Sequence, residues 1–106
     1  MKILKDEAML QNEQDYVLYF TAEWCGDCRF IEPKMPEIEA HFPEFQFIKV
    51  DRDEWIDLAV DLNVMGIPSF IAYRSGKEVD RFVGRQRKTQ EEIEQFLRNA
   101  LAKEEK

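Results

Sequence analysis

Residues Tyr16-Val-Leu-Tyr-Phe-Thr21 form a run rich in β-branched and aromatic side chains with no strict polar alternation. A strand of that kind is apolar on both faces, so it belongs in the middle of a sheet covered on each side. The rest of the chain supplies the covering layers. Asp6 to Asn12 is a weak helix candidate. Ile31, Met35, Ile38 and Phe42 recur at helical spacing, and Pro33 and Pro36 predict a kink or break within that helix. Phe45 to Val50 reads as a second strand, with Asp51 or Asp53 placed to cap the helix whose apolar face is Trp55, Leu58, Ala59 and Leu62. Ser69–Arg74 and Lys77–Val83 flank Ser75-Gly76, a hairpin signal. Thr89 with Glu92 makes a capping box for a helix packed through Ile93, Phe96, Leu97, Ala100 and Leu101, and Lys103–Lys106 reads as its frayed end.

The order α-β-α-β-α-β-β-α gives parallel pairing across each helical crossover and antiparallel pairing in the final hairpin. The expected class is therefore α/β, a mixed central sheet flanked by helices on both faces. Residues 1–106 read as one domain, without a repeat or an interdomain linker.

A formal net charge of −7 argues against general nucleic-acid binding, which needs clustered Lys and Arg, and disfavours anionic membrane surfaces. No apolar run approaches the roughly 18 residues of a membrane span. Acidic Asp6 and Glu7 interrupt the N-terminus before a signal-peptide core could form, so a cytoplasmic location is expected.

The chain has two cysteines, Cys25 and Cys28. A bridge closing so short a loop adds little chain-entropy stabilisation, so the pair points to chemistry. The segment Trp24-Cys25-Gly26-Asp27-Cys28 lies between a strand and a helix. Unpaired N–H groups and the positive end of the helix dipole favour a thiolate there. Cys25, at the helix start, is the expected nucleophile, and Cys28, one turn on and deeper, the resolving thiol. A structural zinc site needs four ligands. No second cysteine pair exists and the only histidine is His41, a surface residue or helix-end charge partner, so no metal and no cofactor are expected.

These residues resemble the thioredoxin family over about Val17 to Leu101. Phe20-Thr-Ala-Glu-Trp-Cys-Gly-Asp-Cys28 is similar to its active-site segment, Pro33 to its helix-kinking proline, and Gly66-Ile-Pro-Ser69 to its cis-proline loop. Val50-Asp51, Ser75-Gly76 and Val83-Gly84 match later landmarks. The resemblance implies a thioredoxin fold and a protein-disulfide reductase cycling between Cys25–Cys28 dithiol and disulfide. It implies a cis Pro68 facing the cysteines, and a substrate groove made by Trp24, Ile67, Pro68, Val83 and Gly84, in which Ile67 pairs with an extended segment. The implied partners are disulfide-containing proteins and a recycling reductase, thioredoxin reductase being the candidate, with the chain acting as a monomer. The alternative is a redox-sensing or partner-binding module with little turnover. A disulfide oxidase is a third reading that needs an oxidising compartment.

Three departures from the family pattern bear on mechanism. Asp27 stands where a proline is usual, and its carboxylate opposes thiolate formation at Cys25, against the helix dipole and Arg29; with Gly26 and Trp24 these residues tune the site. Tyr19 and Phe47 occupy the positions of the family's buried aspartate and its lysine, and neither titrates near neutral pH. Glu23, on the Tyr19 face of the strand, is a candidate substitute, but solvent-mediated release of the Cys28 proton is the reading preferred here. Finally, the N-terminal segment is short, so the first strand is expected to be shortened or absent, with a more exposed sheet edge. Trp55 reads as core packing, and Arg85-Gln-Arg-Lys88 as a solvated basic loop beside the groove that could select acidic partners.

Overall fold

The computed structural model describes residues 1–10 and 13–103. Its centre is strand β2 (Tyr16–Thr21), buried at all six positions as its composition demands. β2 pairs in parallel with β3 (Gln46–Asp51) and antiparallel with β4 (Ser69–Arg74). β5 (Lys77–Phe82) closes the hairpin with β4, and Ser75 and Gly76 both hold positive φ at the turn, as a tight hairpin of this twist requires. The expected first strand is present but reduced to two residues: β1 (Lys2–Ile3) pairs in parallel with β3 through Lys2↔Ile48 and Ile3↔Lys49. The sheet order is β1-β3-β2-β4-β5, mixed as expected.

Odd and even residues of β2 feed two separate cores, the consequence of a two-residue pleat. Val17 and Tyr19 join Phe47, Phe70 and the helix residues Ile31, Met35, Ile38, Ile93 and Leu97. Leu18 and Phe20 join Ile48, Val50, Ile71, Ala59 and both cysteines on the other face. The first face is covered by α1 (Gly26–Ile31), α2 (Met35–His41) and α4 (Gln90–Ala102), the second by α3 (Ile56–Asp61). A 3-10 turn at Glu32–Lys34, containing Pro33, separates α1 from α2, so the expected kink is a full break. His41 ends α2 and lies 2.8 Å from Glu94 of α4.

The α4 capping box forms as read. Neither Asp51 nor Asp53 caps α3, however. Asp51 Oδ1 accepts from the backbone N–H groups of Asp53 and Glu54, so it organises the turn ahead of that helix instead. The N-terminal helix candidate is a 3-10 turn, Glu7–Leu10, and its last two positions lie outside the described residues, as does most of the frayed C-terminal end.

Candidate active site

Strand β2 delivers the chain into a short turn, and Cys25 caps the first turn of α1. Its φ of −84° and ψ of 116° are extended, and its Sγ accepts the Cys28 backbone N–H at 3.2 Å. That donor is one of the N–H groups a helix cannot satisfy internally, so negative charge on this sulfur meets a ready partner. The Cys25 thiol also lies 3.8 Å from the Ile67 carbonyl oxygen. Both cysteines are free; Cys25 is 7% exposed and Cys28 1%.

Burial pushes the Cys28 thiol up to about 11, and its hydrogen bond to Cys25 adds to this, while the Thr21 hydroxyl and the Ala22 backbone pull partly back. Below pH 9 Cys28 is protonated whether the chain is folded or not. Between about 9 and 11 the unfolded chain loses this proton and the folded one retains it, so stability falls as pH rises. The reduced protein is therefore expected to lose roughly 1–3 kcal/mol more than Cys28→Ser across that window, measured by urea unfolding at stepped pH.

A cleft of about 530 Å³ opens beside Cys25. Trp24, Gly26 and Asp27 flank the sulfur, Met65, Gly66 and Ile67 contribute a second chain segment, and Arg52 and Arg85 add positive charge. Trp24 is 60% exposed; its indole N–H donates to Asp53 at 2.6 Å, and the Arg52 guanidinium lies 5.3 Å from its ring centre. The Ile67–Pro68 peptide is cis. Of the expected groove residues, Trp24 and Ile67 line this cleft, and Pro68, Val83 and Gly84 do not. Pro68 is buried, Val83 packs into the core that holds the cysteines, and Gly84 donates its N–H to the Ser69 hydroxyl at a φ of +149° that favours glycine.

Close approach of backbone to backbone occurs at Gly66. A Cβ there would sit 2.7 Å from the Gly84 carbonyl carbon and 2.8 Å from the Arg85 nitrogen. Gly66→Ala must push the loop before α4 away, at an expected cost of about 1–3 kcal/mol in denaturant unfolding.

Asp27 is not left to oppose the Cys25 sulfur unaided. Arg87 Nε donates to its Oδ1 at 3.0 Å, and the same guanidinium lies 4.4 Å over the Phe30 ring. Arg29 opens instead onto a second cleft, behind Cys28. The basic loop is thus not uniformly solvated. Arg85 reaches the Met65 carbonyl and the first cleft, and Lys88 is fully buried, donating Nζ to the carbonyls of Gly84 and Gln86 at 3.1 and 3.3 Å above the Phe82 ring. Burial lowers the Lys88 pKa, and the nearby cysteines, Glu92 and Asp27 draw it back.

The second cleft, of about 540 Å³, has Cys28 in its wall together with Thr21, Glu23, Arg29, Glu32 and Lys49. Tyr19 is fully buried and stacked on Phe70, with ring centres 5.1 Å apart. Its hydroxyl donates to Glu32 Oε1 at 2.9 Å, and Lys49 Nζ donates to Oε2 at 3.2 Å. Glu32 and Lys49 escape the sequence reading, and Arg87 enters it only as part of the basic loop beside the groove. The first two carried a signal: Glu32 is four residues beyond Cys28 and so shares its helix face, and Lys49 is two beyond Phe47 and so shares its strand face. Arg87 carried none.

A family model for thioredoxin matches residues 5–99. A thioredoxin H-type from Fagopyrum esculentum is 46% identical over 68 residues, 64% of this chain and 59% of that protein. Thioredoxin H-type 1 of Nicotiana tabacum is 43% identical over 81 residues, 76% of this chain and 62% of that one. The chain thus spans about three fifths of the length of these curated relatives. Among solved structures, a crystal structure of thioredoxin from Trypanosoma brucei brucei superposes with a TM-score of 0.81 at 30% identity, covering 95% of this chain and 90% of the other. The X-ray structure of Fasciola hepatica thioredoxin gives 0.75 at 35% identity, over 92% and 98%.

Proposed function

This chain belongs to the thioredoxin family, and from that premise we propose that it is a thiol–disulfide oxidoreductase that reduces or exchanges protein disulfides through Cys25 and Cys28. The observation that carries the reading is the Cys25 sulfur itself: it caps a helix, accepts the Cys28 N–H and borders a cleft beside the cis Ile67–Pro68 peptide. Cys25 thiolate attacks one sulfur of a substrate disulfide, forming a mixed disulfide and releasing the other substrate sulfur as thiolate. Cys28, deprotonated, then attacks the Cys25 sulfur. The Cys25–Cys28 bond forms, the second substrate sulfur leaves, and two electrons have passed from the dithiol to the substrate.

Trp24 and Ile67 are the groove contacts for an extended substrate segment, with Pro68, Val83 and Gly84 shaping the loops that hold them. Gly26, Asp27 and Arg29 tune the pair. Substrates are disulfide-bearing proteins, and a reductase of the thioredoxin reductase type restores the dithiol. Both cysteines of the chain serve the site, which suits a reducing compartment such as the cytoplasm and a single chain acting alone. No helix among the described residues is long and apolar enough to cross a membrane.

A partner-binding module with little turnover is the second reading, favoured by Tyr19 and Phe47 in place of the family's acid–base pair. Titrating the reduced protein against glutathione buffers separates the two. The enzyme reading requires one reversible two-electron transition ending in an intramolecular Cys25–Cys28 disulfide, and rapid reduction of a protein disulfide by the dithiol form. Binding without thiol loss would overturn it.

A further inference from the structure

We propose that Glu32, held between Tyr19 and Lys49, receives the Cys28 proton in the resolving step through water in the cleft behind the cysteine pair. This rests on the redox reading above. Cys28 keeps its proton to about pH 11, so at pH 7 only about one molecule in ten thousand carries the thiolate that must attack Cys25. The family's buried aspartate is replaced by Tyr19, whose own proton is held well above its ordinary range by burial, so the phenol is no base.

The cleft offers Cys28 four carboxylates, Glu23, Glu32, Asp51 and Glu54, alongside the cations Arg29 and Lys49. Geometry singles out Glu32. It follows Cys28 by one helical turn, and both its oxygens are oriented by fixed donors, the Tyr19 hydroxyl and the Lys49 ammonium, each oxygen retaining a lone pair for water. Tyr19 couples electrostatically to Cys28, and the Thr21 hydroxyl lies against both. Asp51 spends Oδ1 on the turn after β3, and no side-chain donor among the described residues holds Glu23 or Glu54. Cys25 is hydrogen-bonded to Cys28, and Lys88 couples to it electrostatically. The cleft is polar and ample for water, and the Glu32 side chain is 41% exposed, which gives the proton a path to solvent. In parallel register Lys49 sits directly beside Tyr19, so the acid–base pair has moved as a unit. The carboxylate now comes from the end of α1 rather than β2, and the lysine is two residues further along β3.

In the step itself the Cys28 S–H proton passes to Glu32 through bridging water. The thiolate forms the Cys25–Cys28 bond as the Cys25–substrate bond breaks, and the departing substrate thiolate is protonated by solvent. Glu32 acts through water, so it is a positioning residue and proton acceptor that does not touch the reacting sulfurs.

The test is rapid-quench decay of the mixed disulfide from pH 6 to 11 in wild type, Glu32→Gln and Glu32→Asp. Glu32→Gln keeps the size of the side chain and is expected to resolve about tenfold or more slowly at pH 7, converging on wild type near pH 11. Glu32→Asp recovers part of the rate, and alkylation of Cys25 by iodoacetamide stays at the wild-type rate in both. Equal resolution in wild type and Glu32→Gln at every pH overturns the proposal, as does a loss that is the same at pH 7 and 11 or one seen in Glu23→Gln instead. If wild type neither reduces the substrate disulfide nor ends as the Cys25–Cys28 disulfide, the redox reading fails and this inference with it.

Discussion

Cys25→Ser is expected to lower disulfide reduction by more than about a thousandfold, whereas Cys28→Ser halts the protein with substrate covalently attached. The asymmetry follows from geometry. Cys25 borders the cleft and its sulfur receives the Cys28 N–H, so it alone is set to attack an incoming disulfide. A serine hydroxyl does not ionise near neutral pH and does not displace sulfur, so the first step disappears. Cys28 cannot take over, being 1% exposed and protonated to about pH 11. With Cys28→Ser the first attack survives, but no second sulfur remains to cleave the mixed disulfide. Mass spectrometry of the quenched reaction should show the adduct in Cys28→Ser and none in Cys25→Ser. Turnover by Cys25→Ser, or an adduct on Cys28, would contradict the assignment of nucleophile.

Restoring the family's aspartate at position 19 should damage the protein. Tyr19→Asp is expected to cost about 4–6 kcal/mol, a large fraction of the roughly 5–15 kcal/mol that holds a domain together. Tyr19 is fully buried and stacked on Phe70, so the shorter side chain leaves a void where a ring was. The new carboxylate would be buried beside Phe47, with no cation in the lysine's usual place. Tyr19→Phe retains the ring and loses only the hydroxyl bond to Glu32, so about 1–2 kcal/mol is expected. Urea midpoints for the two variants check this; near-equal losses would mean the packing argument is wrong. Adding Phe47→Lys to Tyr19→Asp should recover part of the loss by supplying a charge partner.

Much of this architecture was legible in the residues because its causes are local. The run Tyr16–Phe20 of β2 required cover on both sides, and the two cores divide it by alternate residues. Thr89 and Glu92 cap α4 with atoms three residues apart. Pro33 breaks the helix where its missing N–H falls. Asp51 misled because its carboxylate can serve any nearby N–H, and the turn after β3 offered two before α3 began. Trp24 and Ile67 lie next to recognisable motifs, but Arg52 and Arg85 reach the cleft they line only once separate loops converge.

The sequence alone decided where the two sulfurs stand and which one lies deeper, since a two-residue gap at the start of a helix sets their spacing and depth by backbone geometry. Tertiary structure decided how their charges are managed. Arg87 reaches Asp27 across sixty residues, Lys88 is buried, and Lys49 meets Glu32 across β3 and the end of α1. Coulomb and desolvation energies depend on distance and burial in space, and a linear order of residues carries neither until the elements pack.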